Sequence, residues 1–118
     1  MAILNETDFV DINETVTNLD IEGPNFNKKY FESGSSGRLF EYVNRSTNVQ
    51  VTFTGCVFSN LIWIKQSIRG KVLFYRCLFK GGETTFEQTE FRQNVSFEEC
   101  VFADTVSFDN TVFKENVS

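Results

Sequence analysis

A pair of large apolar residues five positions apart recurs along the second half of the chain and constrains its fold more than any other feature. Residues 51–113 contain six copies of an eight-residue unit: VTFTGCVF, LIWIKQSI, VLFYRCLF, TTFEQTEF, VSFEECVF and VSFDNTVF. The first large residues are Phe53, Trp63, Phe74, Phe86, Phe97 and Phe108, and the second are Phe58, Ile68, Phe79, Phe91, Phe102 and Phe113. A helix would space such residues by three and four and a strand by two. Gaps of five within units and about six between them instead indicate a coil with corners.

The cysteines set the length of one turn of this coil. Each lies two residues before the second large residue of units one, three and five, whereas units four and six have Thr89 and Thr111 there. Cys77 follows Cys56 by 21 residues, and Cys100 follows Cys77 by 23. We therefore expect two units per turn, so that the thiols form one inward column and the threonines another.

The position two residues before each first large residue is also apolar or β-branched. It is occupied by Val51, Leu61, Val72, Thr84, Val95 and Val106. Because side chains two apart in an extended segment share a face, this position also points inward. The sequence thus predicts an all-β, four-sided parallel β-helix solenoid of about three turns over residues 51–118, in which neighbouring turns supply the burial that one turn cannot.

These units resemble the pentapeptide-repeat family, in which a central Leu or Phe follows a small inward residue by two positions. The resemblance implies a right-handed quadrilateral β-helix and covers residues 51–118. Two departures are the second spacing of six and the lack of Asp or Asn before the central residue. A Phe-rich subset of the family is similar in both respects.

Residues 1–50 are predicted to form an irregular cap with one degenerate coil. They match the repeat only from Leu19 to Phe26, where Pro24 replaces the small residue, and they contain a flexible-looking Glu32–Gly37 segment. A bare β-helix end would expose a sheet edge, which proteins normally cover. A separate recognition module is the alternative for this half.

Composition argues against an enzyme. The chain has no His, which removes the commonest general base and a common metal ligand. Left-handed β-helix acyltransferases need strict hexapeptides and normally a His, and neither is present.

No signal peptide and no membrane-length apolar run occurs. We therefore expect a cytoplasmic protein without cofactor or membrane partner.

Three features could carry chemistry, and each also has a structural explanation. The three cysteines lack metal-ligand spacing, so core packing is the better interpretation. The Lys80–Glu83 connector contains two glycines and is either a binding loop or a bulged corner. The outward carboxylates Glu87, Glu98, Glu99 and Asp109 are either a solvated face or a partner-binding site.

Charge divides the chain into blocks. Residues 51–82 carry a net charge of +5, residues 83–118 carry −6 and residues 1–50 carry −4. Such blocks favour a protein partner bound by an interaction scaffold, with Glu87, Glu98, Glu99 and Asp109 as its contact residues and no direct nucleic-acid binding. Inhibition of a type II topoisomerase by DNA mimicry, which the family resemblance implies, is the alternative function. The basic block argues against a uniformly DNA-like surface.

The last residues repeat the pattern without completing it. Val117–Ser118 matches Val95–Ser96, so the pattern predicts a Phe at the next position. Either the repeat array continues, or another molecule completes the turn. In the second case we expect a homodimer through the C-terminal coil.

Overall fold

Short parallel strands wound into a four-sided coil make up most of the protein. The computed structural model describes Leu19, residues 23–45 and residues 48–115. The strands are β1 (Asn25–Asn27), β2 (Tyr30–Phe31), β3 (Val51–Thr54), β4 (Val57–Ser59), β5 (Ser67–Ile68), β6 (Val72–Tyr75), β7 (Leu78–Lys80), β8 (Glu90–Phe91), β9 (Val95–Glu98), β10 (Val101–Phe102) and β11 (Val112–Phe113). A 3-10 turn (Ser33–Ser35) leads into α1 (Ser36–Arg45) between β2 and β3. The parallel solenoid predicted from the repeats is confirmed.

Each complete turn contributes one strand or bridge to each of four sides. Side 1 has the order β1-β3-β6-β9, side 2 has β2-β4-β7-β10, and side 4 has β5-β8-β11. Side 3 consists of the parallel bridges from Ile62 to Thr85 and from Thr85 to Ser107. Odd-numbered units therefore build sides 1 and 2, and even-numbered units build sides 3 and 4.

The strand register matches the turn length read from the cysteines. Val51 pairs with Val72, and Val72 pairs with Val95, which gives the same steps of 21 and 23 residues. Between the turns built from repeat units, the difference in turn length arises between sides 2 and 3. Two residues separate Phe58 from Leu61, whereas four separate Phe79 from Thr84.

Stacked aromatic rings fill the coil. Phe53 and Phe74 stack at 5.3 Å between ring centroids, and Phe74 and Phe97 at 5.0 Å, with interplanar angles of 12° and 9°. Rings of neighbouring columns meet edge to face, as Phe58 and Phe74 do at 5.4 Å. Offset stacking and edge contacts are the arrangements that aromatic quadrupoles favour. The inward assignment of these columns is confirmed, although burial decreases in the last turn, where Phe102 is 37% and Phe108 is 38% exposed.

The coil includes a repeat unit that the sequence analysis recognised only in part. Residues 24–31 read PNFNKKYF and place Phe26 over Phe53 and Phe31 over Phe58, at 5.0 and 5.1 Å. The sequence pattern predicts a match only as far as Phe26. Phe31, five residues later, completes the unit.

Helix α1 takes the place of the next unit. The segment Glu32–Gly37, which looked flexible in the sequence, instead forms the 3-10 turn and the start of α1. Leu39, Tyr42 and Val43 are buried on one face of the helix, with the i, i+3, i+4 spacing of an amphipathic helix. Within the described residues, no helix has the length and apolar character needed to cross a bilayer.

Side chains of α1 satisfy the backbone groups of side 4 that a further strand would otherwise pair. The Asn44 side chain accepts a hydrogen bond from the Arg69 N–H at 2.6 Å and donates one to the Ser67 carbonyl oxygen at 2.9 Å. On side 3, the Ile62 N–H donates to Ser36 Oγ at 3.0 Å. The helix thereby covers a sheet edge that would otherwise be open to further pairing.

Candidate functional site: the charged corners of the coil

Inside the coil, the side chains of the cysteine column and of Thr89 and Thr111 each donate a hydrogen bond to a carbonyl oxygen of the preceding turn. Cys77 Sγ donates to the Phe53 carbonyl oxygen and Cys100 Sγ to that of Phe74, both at 3.2 Å. In the other half of the turn, Thr89 Oγ1 donates to the Trp63 carbonyl oxygen at 2.8 Å. Among the described side chains, no buried nitrogen or oxygen lacks a hydrogen-bond partner. The inner columns therefore act as a packed ladder between turns.

Burial determines the chemistry of the central thiol. Cys77 has no exposed surface, and its burial raises the pKa of the thiol, as do the adjacent Cys100 and Cys56 side chains. A protonated thiol is a poor nucleophile and a poor metal ligand. All three cysteines are free, and the described residues contain no group of three or more Cys, Asp or Glu side chains placed to hold a metal ion. The column packs the core.

A left-handed residue ends the first side of every unit. The fifth position of each unit has φ between 52° and 64°, and six of the seven occupants are not glycine. They are Lys28, Gly55, Lys65, Arg76, Gln88, Glu99 and Asn110. This conformation is costly for most L-residues, and its recurrence in every unit shows that the coil requires it to turn a sharp corner. At the six non-glycine positions, an exposed side chain projects from that corner.

The structure divides the four candidate carboxylates between two corners. Glu98 and Glu99 lie together at the corner between sides 1 and 2, one turn below Tyr75 and Arg76. Glu87 and Asp109 stack at the corner between sides 3 and 4, because Thr85 bridges to Ser107 two residues earlier. These corners are diagonally opposite, so the four residues form two acidic pairs, which we call the Glu98/Glu99 corner and the Glu87/Asp109 corner.

At both acidic corners, a basic residue of the preceding turn lies next to the carboxylates. The Arg76 N–H donates to the Glu98 carbonyl oxygen at 2.8 Å, and the Lys65 N–H donates to that of Glu87 at 3.0 Å. The acidic and basic blocks of the sequence therefore become neighbours along each corner. The charge blocks in the sequence predicted how far along the coil axis each charge lies. They did not predict the corner from which it projects.

The corner between sides 2 and 3 contains the two-glycine connector. Gly81 has φ +96, and a Cβ there would lie 2.1 Å from Asn60 Oδ1. The Asp104 carboxylate accepts a hydrogen bond from the Gly81 N–H at 2.7 Å, and Asn60 Oδ1 accepts one from the Glu83 N–H at 3.0 Å. These bonds tie together the corners of three successive turns and favour a widened structural corner over a binding loop.

Comparison with known proteins is consistent with this geometry. A family model described as pentapeptide repeats, in nine copies, matches residues 67–112. Searches of curated proteins and of solved structures gave no match. Pentapeptide repeats form right-handed β-helices, so the parallel coil described above is a right-handed parallel β-helix.

Proposed function

We propose, from the premise that this chain is a pentapeptide-repeat protein, that it is a non-enzymatic scaffold for protein–protein interaction. One observation carries the proposal. Ring stacking and hydrogen bonds along the axis use the inward side chains, whereas charged side chains project from corners whose backbone is fixed. A rigid surface binds with a small ordering cost, because little conformational entropy is lost on association.

The acidic pairs are the proposed contact residues. Glu98, Glu99 and Asp109 are exposed, and Glu87 is half-buried. Because the two corners face opposite directions, a partner engages them as two separate strips. Carboxylates at fixed positions select a partner with basic side chains and increase its rate of association.

Affinity capture with charge-reversed variants tests this proposal. The site variant carries Glu87→Lys, Glu98→Lys, Glu99→Lys and Asp109→Lys. The matched control carries Glu32→Lys, Glu41→Lys, Glu83→Lys and Glu115→Lys, all at exposed positions elsewhere, so that both variants change net charge equally.

We expect a protein that is captured by the unaltered chain and by the control to be lost from the site variant. The purified partner should then show the same order of affinities by calorimetry. Equal binding to the two variants would place the contact surface elsewhere, and the absence of any specific partner would count against the scaffold role.

The described charges do not favour DNA mimicry as the main function. A DNA-like surface needs an acidic column that continues over several turns, but Arg76 lies above Glu99, and the uncharged Ile64 lies above Glu87 with Lys65 beside it. We therefore expect no inhibition of a bacterial type II topoisomerase in a supercoiling assay. Inhibition that disappears in the site variant would reverse this preference.

A further inference from the structure

A column of cations lies along the corner between sides 4 and 1. The strand register pairs Ile68 with Phe91, and Phe91 with Phe113. The residue directly after each of these three therefore lies above or below its equivalents in the neighbouring turns. These residues are Arg69, Arg92 and Lys114, and all three are exposed. In the sequence they lie in two different charge blocks, so the column exists only in the folded coil.

The backbone of this cationic column is held rigidly. Arg69 N–H donates to Asn44 Oδ1 at 2.6 Å, Arg92 N–H to the Ile68 carbonyl oxygen at 2.9 Å, and Lys114 N–H to that of Phe91 at 2.9 Å. Three residues join sides 4 and 1 in both complete turns, at 69–71 and 92–94, so this corner has a constant length. The Cα positions of the three cations are therefore separated by the strand spacing of about 4.8 Å.

Such an arrangement is unfavourable for the isolated coil. Like charges at directly paired strand positions destabilise a sheet. Arg92 Nε forms an ion pair with Glu90 at 3.3 Å, between side chains that are 57% and 37% exposed. An exposed pair of this kind contributes little. Violations of a local rule are expected at functional sites, and a bound anion would relieve the repulsion.

We propose that the cationic column binds an extended acidic segment of a partner protein. Alternate residues of an extended peptide point the same way and lie about 6.7 Å apart, a spacing that long Arg and Lys side chains can span. Arg also binds carboxylates through two parallel hydrogen bonds. A long nucleic acid fits less well, because the chain as a whole carries a net charge of −5 and its other corners present carboxylates.

This surface is separate from the acidic corners of the proposed function and has the opposite charge. Its partner segment is acidic, whereas the acidic corners select basic side chains. Either surface can fail its test while the other passes.

Binding of a defined peptide at low salt tests the cationic column. The probe is a blocked Glu-Thr repeat peptide with four carboxylates, and a thymidine oligonucleotide with four phosphates is the comparison ligand. The column variant carries Arg69→Gln and Arg92→Gln. The control carries Lys65→Gln and Arg76→Gln, which removes the same charge from two other corners with exposed side chains.

We expect the peptide to bind the column variant roughly tenfold more weakly than the unaltered chain, since two charge-assisted contacts are lost, and the control to bind nearly as well as the unaltered chain. Amide resonances of residues 69, 92 and 114 should shift on peptide addition. Equal weakening in the two variants, or shifts confined to other corners, would overturn the site. Tighter binding of the oligonucleotide than of the peptide would overturn the choice of partner.

Discussion

The indole Nε1 of Trp63 donates a hydrogen bond to the carbonyl oxygen of Ser36 at 2.8 Å. This bond joins the second repeat unit, residues 61–68, to α1. Trp63→Phe keeps a ring against Phe86 but removes this buried hydrogen bond between the coil and the helix. We expect a loss of about 1–3 kcal/mol in the free energy of unfolding, measured by chemical denaturation. A change below about 0.5 kcal/mol would mean that α1 does not depend on this contact.

Phe74 lies in the middle of a stacked column and has no exposed surface. Phe74→Ala opens a cavity between Phe53 and Phe97 and should cost about 3–5 kcal/mol. Leu73→Ala, on the outer face of the same strand, is the matched control and should cost clearly less. We expect an intermediate loss for Phe97→Ala, because that ring is only half-buried. Equal denaturant midpoints for the variants at 73 and 74 would contradict the assignment of inner and outer faces.

Gly81 and Gly82 are adjacent but differ in their tolerance of a side chain. Gly81→Ala combines a left-handed backbone with a collision against Asn60 and should cost about 1–3 kcal/mol. A Cβ at Gly82 meets nothing within 4 Å, so Gly82→Ala should change stability by less than about 0.5 kcal/mol. Thermal unfolding of the two variants measures the difference, and equal midpoints would refute the geometry of this corner.

The raised pKa of Cys77 makes stability depend on pH in the alkaline range. Burial keeps this thiol protonated in the folded state, while the unfolded thiol ionises near pH 8.5. The stabilisation is therefore complete below that pH and decreases as the pH rises above it. Cys77→Ala should flatten the dependence of unfolding free energy on pH between 8 and 10. The same slope in both proteins would show that another group is responsible.

We propose that the C-terminal coil also associates with a second copy of the chain, through the exposed rings of Phe102 and Phe108. Exposed apolar side chains that lie close together favour such association. Because Glu98, Glu99 and Asp109 lie close to these rings in the sequence, added salt should strengthen the dimer by screening repulsion. Sedimentation at two salt concentrations tests this, with Phe108→Glu as a weakened variant. A monomer at high protein and high salt would contradict it.

The sequence predicted the coil well because the core pattern is local and repeated. The positions of Cys56 and Cys77 were enough to set the register that the strands adopt. Helix α1 was missed because Gly34 and Gly37 obscured the helical spacing of Leu39, Tyr42 and Val43. The second half of the unit at residues 24–31 is hard to recognise in the sequence because Lys29 occupies the position that Cys56 fills in the next turn.

The candidate site was predicted less completely than the fold. Two units per turn separate Glu87, in an even-numbered unit, from Glu99, in an odd-numbered one, but the corner that each residue occupies follows only from the bridge and strand register. The connectors at 69–71 and 92–94 have equal lengths in the sequence, but the stacking of Arg69 on Arg92 also requires the strand register that pairs Ile68 with Phe91.

The corner between sides 2 and 3 accommodates two, four and three residues in successive turns, while the strands on both sides keep their pairing. Extra residues there extend outward and leave the ring columns in place. A loop closure of this kind becomes only slightly more costly as the loop lengthens. This corner is therefore where the coil can accept a grafted peptide or a reporter sequence, and where repeats of unequal length can be combined in one continuous rod.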